Sequence, residues 1–236
     1  MILLITAKGV NRFNLKLRLG ITLFLSLFCL TSFSQSTTDI WPQYYLSMPT
    51  KGKLGLSADF SHRYNGFFEK KTQLIGRVGL NYKLNKGVSI AAGYAYSEYY
   101  TSVGKRIENR PWQQISFAQA FAKVSFAQRL RLEERFQKDA LSERFNYRLR
   151  FQAQVSLPLL KENKLSVVLS DEPMINFGNE IKGNKIDQNR LQVGLQIKLI
   201  KNVFLAPAFV RINQYQANKK QYIHYNVIRT GLTYSR

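Results

Sequence analysis

Residues Phe145–Leu157 alternate between apolar and polar side chains without a single exception. The chain is 45% apolar, so a thirteen-residue run of this kind arises by chance on the order of once in ten thousand windows. On a helix the two sets would mix around the axis, whereas on a strand they separate onto opposite faces. The pattern therefore predicts a β-strand with one apolar and one polar face.

The length of this strand is typical of membranes rather than of soluble sheets. Thirteen residues at ~3.3 Å each span about 43 Å, or roughly 33 Å along a barrel axis at ~40° tilt. The lipid-facing band of an outer-membrane barrel is about 25 Å tall, and soluble strands average only ~5–6 residues.

Similar alternation recurs along the chain and predicts nine further strands. They are Lys53–Arg63, Gln73–Leu84, Val88–Tyr99, Gln114–Phe121, Phe126–Phe136, Lys164–Met174, Arg190–Ile200, Val203–Tyr215 (facing ambiguous) and Tyr222–Tyr234. Tight turns at 85–87 and 201–202 alternate with longer loops such as Thr101–Trp112. This asymmetry is typical of an all-β, antiparallel up-and-down transmembrane β-barrel, here with ten to twelve strands and monomeric. If Asp39–Met48 also pairs, an even strand count requires a twelfth strand.

The first 34 residues have the pattern of an export signal. Lys8, Arg12, Lys16 and Arg18 precede the apolar stretch Leu19–Leu30, and Ser32-Phe33-Ser34 offers a cleavage site. We expect a signal peptide over 1–34 and a barrel domain over 35–236; a membrane anchor is the alternative. Cys29, the single cysteine, lies in the signal, so the mature barrel would have neither disulfides nor thiolate metal sites.

Alternation alone does not say which face points inward. A soluble, lipocalin-like lipid carrier would turn the same apolar stripes into the barrel. Strand length favours apolar side chains outside, as do aromatic residues near strand ends, which resemble the girdles of membrane barrels. These are Tyr82, Tyr96, Phe136, Phe145, Tyr147, Tyr222 and Tyr234.

Several short motifs resemble the family of outer-membrane barrels called domain of unknown function 2490. They are Trp41, Arg110-Pro-Trp-Gln, RLRLEERF at 129–136, RFNYRLRF at 144–151, Asp171-Glu172-Pro173 with Asn176, and Asn189-Arg190. The resemblance covers nearly the whole mature chain. It implies an outer-membrane location and a barrel fold, and it implies no activity and no catalytic residue.

With apolar side chains outside, the polar face lines the lumen and carries an excess of arginine. The predicted lumen charge network is Arg77, Arg129, Arg131, Glu133, Arg135, Arg148, Arg150, Glu172 and Arg190. Arginines on neighbouring strands repel, so Glu133 and Glu172 are expected to bridge them in bidentate pairs. One interpretation is a structural network that fills a narrow barrel; the other is a site that binds or passes small anionic solutes.

The charge balance suggests an anionic partner. The net charge is +21, and removal of the four cations of the signal lowers it to +17. Nucleic acid would require aromatic residues interleaved with the cations on one exposed surface, which the pattern does not place there. Expected partners are therefore outer-membrane lipids including anionic lipopolysaccharide, together with the barrel-assembly machinery, which would recognise the aromatic last strand.

The sequence offers little support for catalysis. An outer-membrane, lipid-acting hydrolase would need a histidine, and the two present, His62 and His224, lie near predicted strand ends. No G-x-S-x-G motif occurs, and two distant histidines without a thiol make no recognisable metal site. We expect no enzyme activity, no cofactor and no metal, with the hydrolase kept as an alternative.

Overall fold

The computed structural model describes residues 38–50, 52–102, 104–181, 185–216 and 220–236, so the expected signal peptide, with Cys29, lies outside the described residues. Within them are eleven strands and one short 3₁₀ helix at Lys161–Asn163. The strands are β1 (Thr38–Pro49), β2 (Leu54–Asn65), β3 (Lys70–Asn85), β4 (Val88–Thr101), β5 (Gly104–Phe121), β6 (Val124–Lys138), β7 (Glu143–Pro158), β8 (Leu165–Phe177), β9 (Ile186–Ile200), β10 (Val203–Gln216) and β11 (Gln221–Ser235). No helix in these ranges is long and apolar enough to cross a membrane.

The strands form one closed barrel in which each strand pairs with its sequence neighbours. Every neighbouring pair is antiparallel except the closing one, in which residues 38–47 of β1 run parallel to 226–235 of β11. The fold class and the range of ten to twelve strands are therefore confirmed. The expectation of a twelfth strand is wrong for the described residues, because an odd number of alternating strands can close when the first and last run parallel.

The two ends of the barrel differ in their connections. We call the end with the short links 86–87 and 201–202 the turn end, and the end with the links 66–69 and 139–142 the loop end. As a consequence of the parallel closure, β1 begins at the loop end, while β11 finishes at the turn end.

The exterior of the barrel is apolar and the interior is polar. Leu80 is 64% exposed and Leu191 55%, whereas Glu108 and Glu133 are fully buried. The soluble-carrier alternative required the reverse arrangement. Outward aromatic rings also form a contiguous row near the loop end, where Phe136, Phe145, Tyr147 and Phe177 follow one another with centroids 4.6–5.4 Å apart, as in an aromatic girdle.

The predicted loop Thr101–Trp112 is wrong, because residues from Gly104 onward belong to β5. Its outward positions include the polar residues Lys105, Asn109 and Gln113 as well as Pro111, so the segment lacks the apolar stripe that identified the other strands. Pro111 is accommodated facing outward, opposite Tyr94 of β4.

The ambiguous facing of β10 also has a structural reason. Val210 and Ile212 point inward and are buried with Val227 of β11 and Trp41 of β1. Since β10 is apolar on both faces, its sequence does not alternate. This inward apolar cluster lies beside the parallel junction of β1 and β11. Its side-chain packing stabilises the position of β1 in the barrel.

Trp112 lies against two glycines that face each other across β3 and β4. Gly79 pairs with Gly93, which in turn pairs with Trp112. A Cβ atom on Gly93 would lie 2.3 Å from Cζ2 of the indole and 2.1 Å from the carbonyl oxygen of Val78, and one on Gly79 would lie 2.5 Å from the same ring. The indole therefore occupies space that any larger residue at either position would fill.

We predict that Gly93→Val destabilises the barrel, because the new side chain meets backbone and a buried ring at once. Overpacking of this kind costs about 1–3 kcal/mol. The measurement is the fraction of protein that migrates as the compact, heat-modifiable form on an unheated gel. Gly76→Ala on β3 is the matched control, because its Cβ would meet nothing within 4 Å; equal folded fractions for the two variants would contradict the prediction.

Candidate lumen site

The lumen is charged on the wall formed by β5 to β9. Because side chains alternate along each strand, every second residue here points inward and is removed from water. The inward side chains include seven of the nine predicted network residues on β6, β7 and β8, with Arg190 on β9 and Arg77 on β3 completing the set.

Glu108 of β5 anchors the network nearest the loop end. Its Oε1 accepts hydrogen bonds from Arg110 Nη2 at 2.5 Å and from Arg135 Nε at 2.9 Å, and its Oε2 accepts one from Arg135 Nη2 at 3.1 Å. Tyr99 Oη donates to Oε2 at 3.1 Å. The carboxylate thus has no exposure and is fully compensated by two guanidinium groups.

Glu133 of β6 lies at the centre of the charged wall. Arg148 donates to its Oε2 from Nε at 2.8 Å and from Nη2 at 2.6 Å, and Arg150 Nη1 donates to its Oε1 at 2.8 Å. Arg110 Nη1 lies 3.7 Å away and links this group to Glu108. Arg148 also reaches Asp187 at 3.4 Å.

Glu172 of β8 continues the same chain of ion pairs. Arg150 Nη2 lies 2.8 Å from both of its oxygens, and Arg129 Nη2 lies 2.5 Å from Oε1. Arg190 Nη1 is more distant, at 3.9 Å from Oε2. One continuous ion-pair network therefore joins β5, β6, β7, β8 and β9 across the inner wall.

Arg77 and Arg131 lie inside the barrel but outside this chain of pairs. Arg77 is paired with Asp59 of β2, with Nη2 at 2.7 Å and Nε at 2.8 Å from Oδ1. Arg131 has no carboxylate within 4 Å among the described residues; it donates twice to Gln114 Oε1 and lies 4.3 Å from the centre of the Trp112 ring.

The lumen contains two cavities that share part of their lining. The loop-end cavity measures about 280 Å³ and the turn-end cavity about 500 Å³. Residues that line both must lie between them. These are Trp41, Arg63, Arg77, Arg150 and Arg190, which we call the constriction.

Two guanidinium groups of the constriction lie over one indole. The Arg63 Cζ atom is 3.7 Å and the Arg190 Cζ atom 5.4 Å from the centre of the Trp41 ring. Arg63 Nη1 donates to Gln73 Oε1 at 2.9 Å, and Arg190 Nε donates to Gln188 Oε1 at 2.9 Å. Both cations are thus held by an aromatic ring and a neutral amide rather than by a close carboxylate.

The sequence prediction missed Glu108, Arg110 and Arg106 because it assigned them to a loop. The signal was nonetheless present, since Arg106, Glu108, Arg110 and Trp112 occur at every second position. It also missed Arg63, which alternation does place on the polar face but which stands at the end of a predicted strand.

The two histidines do not form a catalytic constellation. His62 lies on the outer face, with its Nδ1 3.4 Å from Tyr64 Oη and its ring against Phe60. His224 Nδ1 lies 2.6 Å from Asn213 Oδ1. Neither contacts a carboxylate in the described ranges, where no group of three or more histidine, cysteine or acidic residues could hold a metal ion.

We predict that Glu133→Gln strongly destabilises the barrel, because it leaves Arg148 and Arg150 buried without their carboxylate. Removing one partner of a buried pair costs about 3–5 kcal/mol. Glu134→Gln is the control: this neighbouring residue faces outward and accepts one weak hydrogen bond, from Gln113 at 3.3 Å. Heat-modifiable gel mobility as a function of temperature measures both variants, and a similar loss for both would contradict the assignment.

Comparison with known proteins supports a porin-like fold. No curated protein matches the chain. A solved structure described as "NanC porin structure in rhombohedral crystal form" superposes with a TM-score of 0.54 at 14% identity, over 84% of this chain and 99% of that one. Residues 38–234 match the family described as Protein of unknown function (DUF2490), so the chain belongs to that family, as its sequence motifs indicated.

Proposed function

We propose that the protein is an integral barrel of the bacterial outer membrane whose lumen binds and passes small anionic solutes. The observation that carries the proposal is the constriction, whose residues include four arginines and no acidic residue. The porin-like fold and the apolar exterior support the membrane location.

The loop-end cavity supports an anionic solute through its charge. Eight arginines and two aspartates line it. Asp59, Glu108, Glu133 and Glu172 pair with those arginines and raise the acids to six, so positive charge remains in excess. In a space of this size little water is left to screen the charge, and a small anion would be attracted.

The constriction supports selectivity because two of its cations are incompletely neutralised. Arg63 has no carboxylate within 4 Å among the described residues, and the nearest to Arg190 is at 3.9 Å. A carboxylate, phosphate or halide in the pore would accept hydrogen bonds from the free N–H groups of these arginines and then dissociate. Conduction through a pore requires weak binding of this kind at several sites.

The ion-pair network has a different role in this proposal. Its carboxylates are buried and saturated, so they hold the arginines of β5 to β9 in fixed positions rather than offering free sites. The structural interpretation and the solute interpretation are therefore compatible: paired arginines build the wall, and Arg63 and Arg190 meet the solute.

We also propose the two partners expected of such a barrel. Exposed cations at the loop end, among them Lys105, would meet the phosphates of lipopolysaccharide in the outer leaflet. The last strand carries the exposed Tyr234 near its end and would be recognised by the barrel-assembly machinery.

We predict that Arg63→Gln with Arg190→Gln shifts the reversal potential in planar bilayers toward the cation equilibrium potential, because it removes two positive charges from the constriction. The conductance measured in the same salt gradient would persist, since the wall arginines and their glutamates remain. An unchanged reversal potential would contradict the proposal.

Lys105→Gln is the matched control. It also removes one positive charge near the loop end, but Lys105 lies on the outer face, over the Tyr100 ring and 3.5 Å from Glu98. We expect the wild-type reversal potential for this variant. An equal shift would assign the selectivity to general surface charge rather than to the constriction.

A further inference from the structure

The consecutive acids Asp171 and Glu172 point to opposite faces of β8. Glu172 is buried in the lumen network, whereas Asp171 is exposed on the outside. Asp171 is the seventh residue of this thirteen-residue strand and therefore lies at its middle. No described residue gives it a hydrogen bond or an ion pair. Because it points outward, it also takes no part in the ion-pair network of the lumen.

An exposed arginine occupies the same outward row two strands away. Asp171 is paired in register with Leu191 of β9, and Leu191 with Arg211 of β10. Two strand spacings place Asp171 and Arg211 about 10 Å apart. Arg211 Nη1 donates to Asn226 Oδ1 at 2.8 Å, on the side away from Asp171, so the two opposite charges do not meet within one chain.

The outward row on the turn-end side of this pair is suited to lipid, whereas the row on the loop-end side contains the polar residues Asn189, Asn213 and His224. The next outward row toward the turn end contains Leu169, Val193, Phe209 and Ile228, in register with one another. Charged side chains on the lipid face of a barrel are destabilising near the midplane. A carboxylate without a partner among the described residues, and a guanidinium that is held by one neutral amide, therefore point to a partner that neutralises both charges.

We propose that this face, formed by β8, β9 and β10, is the interface of a two-fold symmetric dimer in the membrane. A two-fold axis along the membrane normal and through Leu191 brings Asp171 of each copy to the same side as Arg211 of the other, because a self-complementary patch needs equal and opposite charges on either side of its axis. At a strand tilt of ~40° the two residues differ in height by about 6 Å, a distance that the long arginine side chain spans. The dimer replaces the monomer expected from the sequence, and it rests on the proposed membrane location but not on solute passage.

The same axis makes a geometric prediction that cysteine cross-linking tests. In full-length protein carrying Cys29→Ser, Leu191→Cys places two thiols against each other at the axis. Mild oxidation of isolated outer membranes is expected to give a dimer that dithiothreitol reverses. Leu80→Cys is the control, since it is outward and more exposed but lies on β3, on the other side of the barrel; it is expected to remain monomeric.

Charge reversal then tests the pairing itself. In the Leu191→Cys background, Asp171→Arg sets arginine against arginine and is expected to abolish the cross-link, while Asp171→Arg with Arg211→Asp restores it with the charges exchanged. Asp171→Asn, which adds no charge to the bilayer, is expected to weaken it. Heat-modifiable mobility shows that each variant has folded, and membrane fractionation reports the proposed location independently.

The proposal is overturned if folded Leu191→Cys protein stays monomeric in the membrane. It is equally overturned if Leu80→Cys cross-links as readily, or if Asp171→Arg leaves the Leu191→Cys dimer unchanged.

Discussion

Desolvated guanidinium–carboxylate pairing is the interaction on which the interior of this barrel depends. An arginine inside a narrow lumen loses water, and it can be held there only when a carboxylate, an amide or an aromatic ring replaces that water. Glu108, Glu133 and Glu172 each serve at least two arginines. Sharing of this kind leaves the network positive overall, so the same arrangement that stabilises the wall gives it its charge.

The inner wall is not uniform around the barrel. Next to the charged wall at β5 to β9, strands β10, β11 and β1 carry an inward apolar cluster in which Trp41 packs with Val210, Ile212 and Val227. That cluster lies at the parallel junction, where β1 has no short connection to β11 and must be held by side chains as well as by backbone hydrogen bonds. Trp41 contacts both the apolar cluster and the charged residues, because the guanidinium groups of Arg63 and Arg190 lie over its ring.

Sequence alternation predicted most of the strands because lipid requires an unbroken apolar outer stripe. It failed at Gly104–Phe121, where Pro111 and polar residues on the outer face hide the period, and the loss of Glu108 and Arg110 from the predicted network followed from that error. The local sequence pattern could not predict the parallel pairing of β1 with β11, because that pairing depends on which strand edges remain free once the other ten pairs have formed.

Asp171 and Glu172 show how one strand serves two environments. The two residues have the same chemistry and adjacent positions, and the pleat alone sends one inward and the other outward. Inside, the arginines of β6, β7 and β9 compensate Glu172 within the chain. Outside, the nearest outward arginine in the same row is two strands away and is turned toward Asn226, so no side chain of the described residues compensates Asp171. A carboxylate on the lipid face obeys the same requirement as a carboxylate in a narrow lumen, and the proposal that a second copy supplies the partner of Asp171 rests on that requirement.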